Sequence, residues 1–250
     1  MPADHPTDRF SADRPIVAHS DDRFGRWPFA SRIAGTIRDR VDRTSIVIGV
    51  YAPWGDGKTS VMNMMQEALK EAPNVITVRF NPWYFRGDEQ LIRGFFDELA
   101  SSIDATLPTS VEKLGTILNK YGAWLSVITP YGEHAEKIGE RLSTAGIEIL
   151  KGRVDKCLRE AKKRVVVFID DIDRLERHEI QSVLKVVKLS ADFENTAYVL
   201  FFDDKVVADS LGERYGAGDA QAGRAFLEKI IQVPLHLPPA KYSQFGVPRI

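Results

Sequence analysis

The chain has 250 residues, enough for one large domain or two small ones and ample for a buried core. Its 34 Lys and Arg nearly balance 35 Asp and Glu, a net charge of −1 that argues against a chain-wide electrostatic nucleic-acid binder while leaving room for a local basic patch. Cys157 is the only cysteine, which excludes an intrachain disulfide and a cysteine-cluster metal site and makes a reducing cytoplasm the expected compartment.

The first residues are polar and charged, with no apolar signal core, and no run approaches the roughly twenty apolar residues of a membrane span. A soluble chain without membrane contact is expected. Residues 1–14 set Pro2 and Pro6 among Asp, His and Arg and read as a disordered tail. Phe29, Ile33, Ile37 and Val41 then recur at four-residue steps, the apolar stripe of a helix over residues 29–43.

Residues 46–51 form an apolar strand, 52–58 a glycine-bearing loop, and a helix begins near Thr59. Gly55-Asp56-Gly57-Lys58-Thr59 in that setting is the core of a P-loop. Backbone N–H groups of such a loop turn inward on phosphate oxygens, and the following helix aims its positive end at the same point. Gly55 and Gly57 allow conformations and close approach that a Cβ obstructs. Lys58 is then a mobile cation for the β- and γ-phosphates, and the Thr59 hydroxyl a ligand for Mg²⁺. Trp54, Gly55, Asp56, Gly57, Lys58, Thr59 and Ser60 are the candidate residues for ATP or another nucleoside triphosphate, with the Asp56 side chain turned to solvent. Ala52 stands where the full pattern has its first glycine; lying before Pro53, it is steered to an extended geometry that alanine adopts.

Residues 75–80 make a second strand, capped by Asn81-Pro82-Trp83-Tyr84-Phe85. Its aromatic triplet is either a stacking surface for adenine or a lid packed over a helix. Residues 88–163 are mostly helical in pattern, with breaks near Pro108 and Thr129-Pro130, and offer a place for partner proteins or further copies of the chain to dock. The basic end at 159–164 reads either as a nucleic-acid contact or as cations at a helix C-terminus.

The unbroken run Val165-Val166-Val167-Phe168-Ile169 implies a strand buried on both faces, and it ends in Asp170-Asp171. A carboxylate at that end of a parallel strand lies in the ligand crevice, which makes Asp170 the candidate Mg²⁺ ligand and Asp171 the group that orients the attacking water. The structural alternative is a helix cap, with Asp173-Arg174 as a local ion pair. A helix over 178–189 leads to a strand over 197–202 that again ends in acid. Asp203 there is either a γ-phosphate sensor or a turn and cap residue. Residues 212–223 read as a glycine loop, 224–231 as a short helix and 232–237 as the last strand. Arg224 and Lys229, with Arg214 a third choice, are candidate γ-phosphate contacts or fingers for a neighbouring subunit.

These segments together resemble the KAP family of P-loop NTPases. The likeness begins at Asp13-Arg14-Pro15-Ile16 and Asp22-Arg23-Phe24-Gly25-Arg26 and runs through residues 51–60 and Phe80-Asn81-Pro82-Trp83. It includes Ile169-Asp170-Asp171-Ile172-Asp173-Arg174, similar to the family's Walker B, and the closing segment 226–234. The resemblance implies an α/β three-layer sandwich, a P-loop NTPase domain over residues 15–240 with a parallel five-stranded sheet of order 5-1-4-3-2. A helical insertion of about 88–163 would lie between strands 2 and 3, polar here where many relatives carry transmembrane helices, and 241–250 would be a tail. It also implies a Mg²⁺-dependent ATPase, with bacterial relatives often in defence against phages and plasmids. Two other readings stand beside it: a nucleotide-gated scaffold with little turnover, and a small-molecule kinase.

Overall fold

The computed structural model describes residues 14–106, 152, 154–156, 158–190, 193–215 and 220–239. The expected tails at 1–13 and 241–250 and most of the expected insertion lie outside the described residues.

Five strands form one parallel sheet: β1 (Ile46–Tyr51), β2 (Val75–Phe80), β3 (Arg164–Ile169), β4 (Thr196–Phe202) and β5 (Val233–His236), in the order β2-β3-β4-β1-β5. This is the expected 5-1-4-3-2 order. Every neighbouring pair is parallel. β3 and β4 are buried along their whole length because helices cover both faces, so alternate residues feed two separate cores. Val166 and Phe168 of β3 join Ile33 and Ile37 of α1 (Trp27–Asp39) and Met62 and Met65 of α2 (Lys58–Leu69). Val165, Val167 and Ile169 face the opposite layer, which holds α3 (Asp88–Thr106), α4 (Arg177–Ser190), α5 (Asp204–Tyr215) and α6 (Ala220–Leu227). The result is the three-layer sandwich.

Register matters most for the site. Tyr51 pairs with Phe202 and Phe80 with Ile169, so the strands stop at nearly one level. The loops that follow them share one edge of the sheet.

Several boundaries differ from the sequence reading, three of them with a structural consequence. The first helix ends at Asp39, and Val41 is 93% exposed instead of lying on the apolar stripe. The cause is Arg164, whose guanidinium takes the carbonyls of Ile37 (2.5 Å), Arg40 (2.8 Å) and Asp42 (3.1 Å) and holds the chain out of helical continuation. Residues 204–215 are helical through Gly212, where a loop was expected to begin, because Val207, Ala208 and Leu211 bury one face. The last helix spans Ala220–Leu227 instead of 224–231, with a turn after it, and carries Gly223 inside it.

Gly223 is set by the α5–α6 crossing. A Cβ there would stand 1.9 Å from the Ala208 carbonyl oxygen and 3.0 Å from its Cα, and backbone cannot yield as a side chain does. Gly223→Ala is expected to cost about 2 kcal/mol through overpacking, read as a lower urea midpoint at unchanged slope.

Candidate active site

The loop 52–57 leaves β1 and delivers Lys58 as the first residue of α2. Gly55 (φ 85°) and Gly57 (φ 80°) both adopt the left-handed backbone that only glycine takes without strain. Gly57 has a second reason. The Arg26 guanidinium packs against it, with Nη1 2.9 Å from where a Cβ would stand, and donates to the Asp56 carbonyl. The buried Arg26 therefore braces the loop from behind. Trp54 and Asp56 are exposed, the latter as expected of an acid beside an anion cradle. The Ser60 hydroxyl accepts the Ile16 N–H (3.3 Å), so it ties the incoming N-terminal segment to α2.

The two ends of the candidate metal pair meet. The Thr59 hydroxyl donates to Asp170 Oδ2 at 2.7 Å, joining the start of α2 to the end of β3. Asp170 Oδ1 accepts the Asp171 N–H (2.9 Å). Asp170 is 2% exposed, and burial is the main cause that lifts its carboxyl above the usual carboxylate range. The Thr59 hydrogen bond pulls the other way and the Asp171 charge adds to the rise. A buried acid that its surroundings disfavour as an anion, set beside a hydroxyl, fits a hard divalent cation taking oxygen ligands.

Asp171 sits at φ 59°, a left-handed residue that turns the chain sharply off the strand into the 3-10 turn Ile172–Arg174. Its Oδ1 pairs with Arg174 Nε at 2.8 Å and its Oδ2 accepts from Asn81 Nδ2 at 2.9 Å. The Arg174 guanidinium also lies over the Trp83 ring, 5.5 Å from its centroid. The alternative of a local Asp173–Arg174 ion pair does not hold, because the turn sends the two side chains apart. Asp173 instead reaches Lys58: Nζ stands 3.0 Å from Asp173 Oδ2, with the carbonyls of Ala52 (3.0 Å) and Pro53 (3.2 Å) as its other acceptors. Both side chains are buried, and Asp173 Oδ1 has no hydrogen-bond partner.

The candidate sensors fall differently. Asp203 Oδ1 accepts the N–H groups of Lys205 (3.0 Å) and Val206 (3.3 Å), which makes it the N-cap of α5, while its own N–H donates to Asp173 Oδ2 (3.0 Å). Arg224 and Lys229 are exposed, and neither pairs with Lys58, Asp170 or Asp171. The side chain of Arg214 lies outside the described residues. Phe85 stacks on Phe80 (5.3 Å) as the packed part of the aromatic triplet, whereas Trp83 and Tyr84 are exposed. Sequence reasoning missed three site residues: Asp173, Arg26 and Asn81. Only a third acid in the strand-end run, and a cation and an asparagine in the quoted segments, could have pointed to them.

The family model for the KAP family P-loop domain matches residues 26–246. The phage T7 exclusion protein of Escherichia coli (strain K12) is 22% identical over 252 residues, which cover 87% of this chain and 33% of that protein. This chain thus spans about a third of the length of that relative. Among solved structures, the Aeropyrum pernix ORC2 protein in its ADPNP-ADP complexes is 16% identical, with a TM-score of 0.41, covering 87% of this chain and 48% of that one. Cdc6p from Pyrobaculum aerophilum is 14% identical, with a TM-score of 0.46, covering 91% and 48%.

Two outcomes follow from the buried charges. Removing Asp173 strands the Lys58 ammonium in a site closed to water, so Asp173→Ala is expected to cost about 3 kcal/mol in chemical denaturation. Asp170→Asn is expected to raise the thermal midpoint at neutral pH without Mg²⁺. A carboxyl whose folded pKa is raised costs nothing below the unfolded carboxylate range and destabilises as pH rises through its folded value. The gain over wild type should therefore shrink as the pH is lowered, and a pH series of melting curves reads it.

Proposed function

This chain belongs to the KAP family of P-loop NTPases, and from that premise we propose that it binds ATP, or another nucleoside triphosphate, with Mg²⁺ and hydrolyses it. The observation that carries the reading is the convergence of Lys58 and Thr59 from α2 with Asp170, Asp171 and Asp173 from the end of β3, on the edge of the sheet where loops bind ligands. Thr59 and Asp170 would hold Mg²⁺, which supplies charge neutralisation at the phosphates when bound. Lys58 serves the β- and γ-phosphates, exchanging contacts with Asp173 and the loop carbonyls for phosphate oxygens. The loop amides and the start of α2 take the remaining phosphate charge.

Asp171 is the group for the attacking water. Asn81 and Arg174 fix its carboxylate in one orientation, as a positioned base requires. The same contacts favour a second reading. Both oxygens of Asp171 are engaged, so a water must compete with Arg174 and Asn81, and slow turnover turns the chain into a nucleotide-gated scaffold. In either case the cycle acts as a switch or motor within a larger assembly in the cytoplasm, formed by further copies or by partner proteins docking through the segment after α3. The phage T7 exclusion protein supports a place in defence against phage.

Phosphate release from ATP and Mg²⁺ at several protein concentrations tests this. Lys58→Ala is expected to abolish release, and Asp171→Asn to lower it about a hundredfold or more while nucleotide still raises the thermal midpoint. No release by wild type, with ATP bound tightly, would sink the hydrolase and leave the scaffold.

A further inference from the structure

The opposite edge of the sheet, where the strands begin, carries a cleft of about 180 Å³ whose charge the nucleotide site does not use. It is lined by Arg38, Arg40, Arg43 and Arg159, by Lys162 to Arg164, and by Val41, Asn74 and Asn195. Seven of these ten residues are cations and none is an acid. In a chain of net charge −1 such a concentration is a local departure from balance.

Acids beside the cleft neutralise only some of it. Asp39 takes Arg38 (2.7 Å), Asp42 takes Arg40 (2.6 Å) and Glu194 takes Arg159 (2.8 Å). Arg43, Lys162, Lys163 and Arg164 have no carboxylate partner among the described residues. Lys163 and Arg164 spend their donors on carbonyls, Pro73 for the first and the end of α1 for the second. Burial is the main cause that lowers the Arg164 pKa; the neighbouring Arg40 charge lowers it further and Asp42 partly offsets this. Arg43 and Lys162 stay exposed.

The rim is also rigid. Arg164 N–H donates to Asn74 O (2.8 Å), Asn195 N–H to Arg43 O (2.7 Å) and Val165 N–H to Asn195 O (2.9 Å), so three connections are laced to the sheet. Cations mounted on such a frame need little ordering when an anion arrives.

We propose that this cleft grips the phosphodiester backbone of duplex nucleic acid. Guanidinium and ammonium groups are the donors that phosphates take, and a concave row of them suits a strand of phosphates better than a flat lipid surface. Among the described residues the lining holds no aromatic side chain, which leaves no platform for unstacked bases and argues against single strands. Val41 is the only apolar residue among the described lining, too little to anchor a peptide. Binding is therefore independent of base sequence and strongly dependent on salt.

The test is fluorescence anisotropy of a labelled 30-base-pair duplex (about three helical turns) against KCl concentration, with the full chain and no nucleotide. Wild type should bind at low salt, more tightly than it binds the corresponding single strand. The slope of log K against log salt should be negative. Arg43→Glu with Lys162→Glu, both exposed and outside the P-loop, should weaken binding more than roughly tenfold and reduce the slope by about two. Arg43→Gln with Lys162→Gln should give a smaller loss in the same direction, and ATP should raise the thermal midpoint of both variants as it does that of wild type. No binding by wild type, affinity and slope unchanged in folded variants, or binding to phosphatidylserine vesicles but not to duplex would each overturn the proposal.

Discussion

The Lys58 ammonium, 3.0 Å from an Asp173 oxygen with both side chains largely buried, is the contact on which the nucleotide edge depends. At that distance and an effective dielectric of about 20, the attraction is about 5 kcal/mol before desolvation is subtracted. It joins the phosphate loop to the turn after β3, across the β4 strand that separates β1 from β3. The same Asp173 oxygen accepts the Asp203 N–H, so the end of β4 is fastened to the pair as well. Three strand ends are thus held by one carboxylate. Under the proposed function a phosphate group would compete with that carboxylate for Lys58, and its arrival would be felt at the ends of β3 and β4. This gives the site a physical means of sending nucleotide occupancy into the sheet.

Much of this was legible in the sequence, for identifiable reasons. β3 and β4 are unbroken apolar runs because both of their faces are covered, and a strand buried on two faces has no other composition open to it. Lys58, Thr59 and Asp170 stood out because they punctuate such runs at strand ends. What escaped was decided by turns and by contacts distant in sequence. Adjacent charges in Asp173-Arg174 look like a pair, yet the left-handed Asp171 swings one toward Lys58 and the other back onto Asp171 itself. Asp203, legible in sequence as either a sensor or a cap, has the geometry of a cap. Arg164 looks like the tail of a basic helix end and is instead the first residue of β3, closing α1 from 127 residues away. Gly212 suggested a loop, but one buried apolar face carries the helix through it.

A parallel sheet sorts charge in a way that overall composition conceals. All the connections that follow strands share one edge, and all those that precede strands share the other. Here the acids Asp170, Asp171, Asp173 and Asp203 follow β3 and β4, while Arg43, Lys162 and Lys163 precede β1 and β3. The chain is nearly neutral as a whole, yet these acids and these cations gather at opposite edges. A net charge of −1 describes neither end.

The distance between those ends limits how they can communicate. A strand of six residues such as β3 is about 20 Å long. That is more than twice the Debye length of about 8 Å at physiological salt, so charge changes around a phosphate are largely screened before they reach the basic edge through solvent. The direct path is through the sheet, and that path is stiff: β3 and β4 are bonded on both sides and packed on both faces. Coupling along that path would be mechanical, a small shift of β3 together with the strands bonded to it. Arg164 is the point where such a shift would register, since it begins β3 and also holds the end of α1 at the rim of the cleft. Lys58 lies on the helix that packs against α1 from the same face. The basic edge is thus linked to the nucleotide edge by two routes through packed elements, β3 on one side and α1 with α2 on the other.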